Sequence, residues 1–325
     1  MKIVTYLYEG VEGFGIAIEK WIYPFSSTVP GYPKTMAELL IGGAKSMQMI
    51  QDFHDHISSS GHNSSQALHI EEVSILAPVP YPTSFRDAYA FRQHVATSRR
   101  NRGLDMIPEF DKFPVFYFSN HQAIVGPGNV HCMPQHFEKL DFELEVAIVI
   151  NKRGKNISAR DADQYIAGYM IMNDLSARAL QMEEMKLNLG PAKGKDFATA
   201  IGPWLVTKDE LAPFKVPTPA GHIGDAYDLE MTCSVNGVQV SHGNFADMHW
   251  TFAEIIERIS YGVDIFPGDI IGSGTVGTGC FLELNGTAKL HDPNYQEQWL
   301  LTGDEITLEV TGLGSLSNRI LLQSE

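Results

Sequence analysis

The sequence predicts a mainly β (α+β) fold, closer to a rolled or folded sheet than to a doubly wound one. Short runs alternating apolar and polar residues recur along the chain. Its 29 Gly and 17 Pro punctuate them, and stretches of helical period are few. A length of 325 residues allows a sizeable core and a domain count near two. A small N-terminal β-rich domain over 1–75 and a larger domain over 76–325 are expected.

Residues 2–8 alternate like a strand, and 13–23 read as its hairpin partner. Met36, Leu39, Leu40, Ala44, Met47, Ile50 and Phe53 recur with helical period between Thr35 and Ile57. The polar stretch 58–66, SSSGHNSSQ, is the best linker candidate. A helix expected over about 86–101 would put Asp87 and His94 on one face, because seven residues make nearly two turns. In DFELEVAIVI, strand alternation points Phe142 and Leu144 one way and Glu143 and Glu145 the other. Residues 161–185 suggest two helical pieces around a strand ending at Asn173-Asp174. In MTCSVNGVQVSHG, Asn236-Gly237 supplies the left-handed turn of a hairpin. Thr251 and Glu254 have capping-box spacing at the start of a short helix. Short strands and turns follow from Val263, with a further hairpin signal at Asn285-Gly286.

A formal net charge of −15 argues against nucleic acid or an anionic membrane as partner, since both reward a basic surface. Cys132, Cys233 and Cys280 are odd in number and lack CxxC spacing. A reducing cytoplasm therefore fits better than a disulfide framework or zinc ribbon. The start, MKIVTYLYEG, has no apolar signal region, and no stretch is long enough to span a bilayer. The Asn-x-Ser/Thr matches at Asn63, Asn156 and Asn285 are then chance occurrences.

Chemistry is carried by acids in the middle third of the chain. Asp87, Glu143, Glu145 and Asp174 form an oxygen-only donor set suited to Mg²⁺, Ca²⁺ or Mn²⁺ rather than zinc. Each also has a plainer explanation. Glu143 and Glu145 fit the solvated face of an edge strand, Asp174 a turn, and Asp87 the start of a helix. His94 suits a general base, or equally a partly buried structural histidine. Arg99, Arg100 and Arg102 can dock a substrate carboxylate or simply favour a helix C-terminus. Lys195, on the Gly- and Pro-rich GPAKGKDFATAIGPW, could project a fixed charge into a pocket, whereas Lys193 reads as a surface lysine. Glu283, among apolar neighbours in CFLELNG, needs a partner; orienting a histidine or an unrelated salt bridge would serve. Gly272, Gly274 and Gly277 spell GxGxxG. The following TGCFLELNGTAKL reads as strand and hairpin, so a dinucleotide site is rejected.

From about Tyr81 to the C-terminus the chain resembles the fumarylacetoacetate hydrolase family. RDAYAFRQH looks like the segment carrying its first metal aspartate and catalytic histidine, and DFELEVA like its paired-glutamate strand. MNDLSARALQ, GPAKGKDFATAIGPW and PGDIIGSGTVG are similar to its later motifs. The spacing of Asp87 and His94 and the glutamate of FLEL narrow the likeness to fumarylacetoacetase-like members. After Tyr117 the chain reads FSNHQ, where such members carry His-Gly-Arg.

The resemblance implies a small N-terminal domain, a C-terminal β-roll and a homodimer. It implies Asp87, Glu143, Glu145 and Asp174 as ligands of a divalent cation, His94 as general base and Glu283 as its orienting partner. Lys195 and Gln181 would stabilise the developing enolate, and Arg178 would tie the metal site together. Tyr117, Gln181, Thr275 and one arginine among Arg99, Arg100 and Arg102, with Arg102 the first choice, would contact substrate. The implied reaction is hydrolysis of a C–C bond in a β-diketo acid of the fumarylacetoacetate or acylpyruvate type. Decarboxylation, dehydration or isomerisation of a 2-oxo acid is the alternative, and a non-catalytic binding relative a third reading.

Overall fold

In this computed structural model, residues 1–25, 31–59 and 67–323 are described. The expected linker at 58–66 falls almost wholly outside them; Ser58 and Ser59 close the preceding helix.

In chain order the principal elements begin with β1 (Lys2–Tyr8), β2 (Val11–Ile18), β3 (Trp21–Pro24) and α1 (Met36–Ser59). Next come β4 (Ser84–Ala88), α2 (Arg92–Arg100), β5 (Phe116–Phe118), β6 (Leu144–Ile150), β7 (Ile166–Asp174) and α3 (Arg178–Glu184). The remainder are β8 (Thr199–Val206), β9 (Glu230–Val235), β10 (Val238–Asn244), α4 (Phe252–Ser260), β11 (Asp269–Gly272), α5 (Phe281–His291), β12 (Glu305–Val310) and β13 (Gly314–Leu322). The fold is mixed α+β and mostly sheet, as the alternating runs predict.

A 12-stranded sheet runs β3-β2-β1-β8-β7-β6-β11-β4-β5 through its main strands. The N-terminal strands join the same sheet as the later ones, because Lys2 pairs with Val206. Met1, Ile3, Ile16, Leu39, Leu40 and Ile50 pack there with Ala147, Val149, Met170 and Ile270. A second sheet of 5 strands, ordered β10-β9-β12-β13 and then Gly128–Cys132, covers the other side of the larger core. Strand β6 is therefore buried on both faces. Leu144, Val146, Ile148 and Ile150 enter one core, and Ala147 and Val149 the other.

Local signals decide several elements. Asn236 (φ 51°) and Gly237 (φ 77°) make the predicted left-handed turn between β9 and β10. The Thr251 hydroxyl accepts from Glu254 N, and the Glu254 carboxylate accepts from Thr251 N, starting α4 as the spacing predicts.

Two expectations are corrected. Asp87 does not share a helix with His94. Residues 84–88 form strand β4 and the helix starts only at Arg92, because Ser84–Ala88 finds strand partners on both sides. The predicted strand and hairpin through Glu283 and Asn285-Gly286 is helix α5. Asn285 is buried there, its side chain donating to Gln298 O and accepting from Gln298 N, so tertiary bonding overrides the turn preference.

The glycines of the apparent GxGxxG consequently do precede a helix, but they serve packing. A Cβ on Gly272 would lie 2.3 Å from Asp87 Oδ1, on Gly274 2.6 Å from Ala88 O, and on Gly277 2.5 Å from the Gln93 side chain. The space a phosphate would need beside these glycines is filled by the chain's own atoms.

Candidate active site

Sheet register brings the acids together. Asp87 pairs with Gly272 across β4 and β11, and Gly272 pairs with Ala147, next but one after Glu145 on β6. Glu145 pairs with Met172 and Leu144 with Asn173 across β6 and β7, placing Glu143 beside the end of β7 where Asp174 stands. Carboxylate oxygens of Asp87, Glu143, Glu145 and Asp174 lie within 4.8 Å of one another. All are buried, with exposures of 3%, 6%, 0% and 0%. The solvated-face, turn and helix-start explanations of these residues do not describe this structure.

Charge is divided unevenly within the cluster. The Lys195 ammonium donates to Glu143 Oε2 at 2.5 Å and to Asp174 Oδ2 at 2.7 Å. Arg178 Nη2 donates to Glu143 Oε1 at 2.8 Å. Burial alone would raise Glu143, but Lys195 and Arg178 outweigh it and hold this carboxyl well below its usual range. Among the described residues no lysine or arginine forms an ion pair with Asp87 or Glu145. Burial, then the charge of Asp174, pushes Asp87 upward, and burial with Asp87 does the same to Glu145. Glu145 Oε2 is buried without a hydrogen-bond partner. Converging buried oxygens with one left unsatisfied fit a hard divalent cation, and this acidic cluster can hold one.

The histidine arrives by a different route. Helix α2 packs against α5, and His94 Nδ1 lies 2.5 Å from Glu283 Oε2. Both are buried, at 5% and 2% exposure. A carboxylate on Nδ1 fixes the ring and directs Nε2 as the proton-accepting atom. Of Glu283's sequence-level alternatives, the structure realises the histidine partner.

The remaining predicted residues divide into two groups. Tyr117 donates to Asp174 Oδ2 at 2.5 Å, Thr275 Oγ1 lies 3.4 Å from Glu145 Oε1, and Gln181 Oε1 accepts from Arg178 Nη1 at 3.0 Å. These three surround the acids. Arg102 is exposed and bonds Ser98 O within its own helical turn, while the Arg99 side chain donates to Asp105 O and Arg100 is exposed. Lys193 pairs with Asp196 on the surface, as its plain reading holds.

Sequence reasoning missed several participants. Tyr89 stands edge-on to the His94 ring at 5.7 Å between centroids, and burial pushes its hydroxyl up to about 12. Asn173 Oδ1 accepts from Glu143 N, and Asp141 binds Arg178. Tyr89 stands inside RDAYAFRQH, and Asp141 is an acid directly before an apolar strand; both signals were present. A surface groove of about 810 Å³ lined by Phe113, Trp250, Arg258 and Tyr261 shares no residue with this centre.

Residues 83–321 match the fumarylacetoacetate (FAA) hydrolase C-terminal family. The chain belongs to the fumarylacetoacetate hydrolase family. This membership makes it one of an enzyme superfamily acting on small molecules. The chain is 30% identical over 293 residues to a mitochondrial oxaloacetate tautomerase of Bos taurus, spanning 90% of this chain and 81% of that one. It is 33% identical over 264 residues to a fumarylacetoacetase of Oryza sativa, spanning 66% of this chain and 61% of that one. The fold matches the fumarylacetoacetate hydrolase of Exiguobacterium antarcticum with TM-score 0.71 at 22% identity, covering 99% of this chain and all (100%) of that one. It also matches a probable 2-hydroxyhepta-2,4-diene-1,7-dioate isomerase of Mycobacterium abscessus, TM-score 0.69 at 22% identity, over 100% of both chains. Among the described residues no helix is long and apolar enough to cross a membrane.

Proposed function

We propose that this family member hydrolyses a C–C bond of a β-diketo acid, of the fumarylacetoacetate or acylpyruvate type. The observation that carries this reading is the buried His94–Glu283 pair beside a cluster of acids able to hold a cation. Asp87, Glu143, Glu145 and Asp174 would hold Mg²⁺ or Ca²⁺, with Mn²⁺ also suited to the oxygen set. When bound, the cation would supply Lewis acidity to a β-diketo acid substrate.

The chain's own residues do the rest. Glu283 holds Nδ1–H of His94, so that Nε2 takes a proton from the attacking water. The hydroxide so formed adds to the acyl carbonyl, the C–C bond breaks, and its electron pair leaves with the other fragment. That fragment takes back a proton, giving two acid products. Lys195 provides a fixed positive charge for the oxygen where negative charge gathers, and Gln181, whose Oε1 is held by Arg178, would help to stabilise the same developing enolate. Tyr117, with its hydroxyl proton held on Asp174, and Thr275, at Glu145, line the reacting side. Arg102 would contact substrate only with its exposed side chain turned inward.

Keto–enol tautomerisation of oxaloacetate is the second reading, favoured by the name of the Bos taurus relative. It uses the same base without a water. The two separate on mixing the enzyme with fumarylacetoacetate, acetylpyruvate and oxaloacetate, each with Mg²⁺ or with EDTA. Metal-dependent loss of diketone absorbance with both acid products recovered establishes hydrolysis. Oxaloacetate tautomerisation with neither diketone cleaved moves the assignment to the second reading. His94→Ala is expected to lower turnover about 10²–10⁴-fold while Mg²⁺ still binds by calorimetry, and unchanged turnover overturns the role of the base. A homodimer in a reducing compartment such as the cytoplasm completes the proposal; the free buried cysteines support the compartment, and light scattering tests the dimer.

A further inference from the structure

We propose that Asp141 is a positioning residue that holds the His94–Glu283 pair in register with the acid cluster; this deepens the hydrolase reading and rests on it. Asp141 is fully buried at 0% exposure, and every acceptor position of its carboxylate is used. Oδ1 accepts from Phe281 N at 2.7 Å and from Phe142 N at 3.0 Å. Oδ2 accepts from Leu282 N at 2.9 Å and from Arg178 Nε at 2.9 Å.

These donors come from the two halves of the site. Phe281 and Leu282 are the first residues of α5, the helix that carries Glu283 in its opening turn. Cys280, the residue before that helix, provides no side-chain cap. Asp141 therefore caps α5 from a distant part of the chain, meeting backbone N–H groups that have no partner within the helix. The Arg178 guanidinium has one nitrogen on Asp141 and another on Glu143, tying the same carboxylate to the acids. Through Arg178 and through α5, one side chain thus sets the distance between the cluster that would hold the cation and the glutamate that fixes His94. Asp141 touches neither the reacting atoms nor His94, so it acts only through position. A misplacement near 1 Å is enough to cost about 10²-fold in rate.

The test is a double-mutant cycle with Asp141→Asn and Glu283→Gln in the full-length enzyme. Asn keeps the shape of Asp. Whichever way its amide turns, however, its NH2 meets N–H donors where a carboxylate oxygen accepted them. Turnover of the better diketone, melting temperature, and Mg²⁺ binding by calorimetry are measured for each form. Asp141→Asn is expected to lower kcat about 10–100-fold with KM within about twofold, and to leave Mg²⁺ binding in place. In the Glu283→Gln background, the residual kcat should fall less than about threefold further, because the residue acts through a pair already broken.

An unchanged kcat in Asp141→Asn overturns the inference. So does an equal fall in both backgrounds, which marks a general structural loss. If Asp141→Asn does not fold, Asp141→Ser, which places no NH2 against those donors, carries the same cycle and criteria. Full activity in Glu283→Gln alone fails the hydrolase reading and this inference with it. A large loss in Glu283→Gln with none in Asp141→Asn fails the inference alone.

Discussion

The acid cluster has two sides that differ in how their charge is met. On one side, Glu143 and Asp174 share the Lys195 ammonium, and Glu143 also takes Arg178. On the other, Asp87 and Glu145 have no ion-pair partner among the described residues, and Glu145 keeps a buried oxygen without a hydrogen bond. One side is a closed ionic network of the chain's own groups. The other is a buried like-charge pair, costly until a proton or a cation arrives. The position of the unpaired side shows where an ion would bring most relief.

Breaking the closed side should have the largest effect on stability. Lys195→Met leaves Glu143 and Asp174 buried with one cation fewer. It should destabilise the metal-free protein by about 3–5 kcal/mol in urea melts with EDTA. A loss near zero would mean that the ion pairs are not formed in solution.

Changing the open side should act in the opposite direction. Mg²⁺ at about 100 times its Kd should stabilise the parent by about 2.7 kcal/mol. Glu145→Gln should remove most of that gain while leaving the metal-free form as stable as the parent, or about 1 kcal/mol more so. A metal-free form made clearly less stable would place Glu145 on the closed side instead.

Gly272→Ala sharpens the comparison sterically. Its Cβ would lie 2.3 Å from Asp87 Oδ1 and 2.4 Å from Met172 Cε. A loss of about 1–3 kcal/mol with weakened Mg²⁺ binding by calorimetry is expected. The smallest effect belongs to Lys193→Ala. The exposed Lys193–Asp196 pair should be worth no more than about 0.5 kcal/mol, with turnover unchanged. A large loss of turnover there would show that Lys193 serves the site as Lys195 does.

The two parts of the proposed machinery were unequally legible in the sequence. Glu143, Glu145 and Asp174 sit at the start of β6 and the end of β7, strands written locally as alternating or apolar runs. Read locally, Asp87 and His94 fit one helix face, although the same pattern leaves room for the strand that β11 and β5 impose on Asp87. Glu283 reads locally as a strand residue, because Asn285-Gly286 is a strong hairpin signal without Gln298. Arg102 is expected at the substrate from the resemblance and its charge, and nothing in the local sequence shows that it bonds back to Ser98.

By itself, the sequence determined the sheet-rich class and the residue types able to meet a hard cation. Those are properties of composition and of periods only a few residues long. Tertiary structure alone decided that Asp87 lies beside Gly272, that His94 meets Glu283, and that Asp141 caps the helix carrying that glutamate. These contacts join residues 185, 189 and 140 positions apart, counted as 272 − 87, 283 − 94 and 281 − 141. They form only when sheet register and helix packing close loops of that length, and no short window of sequence encodes that closure.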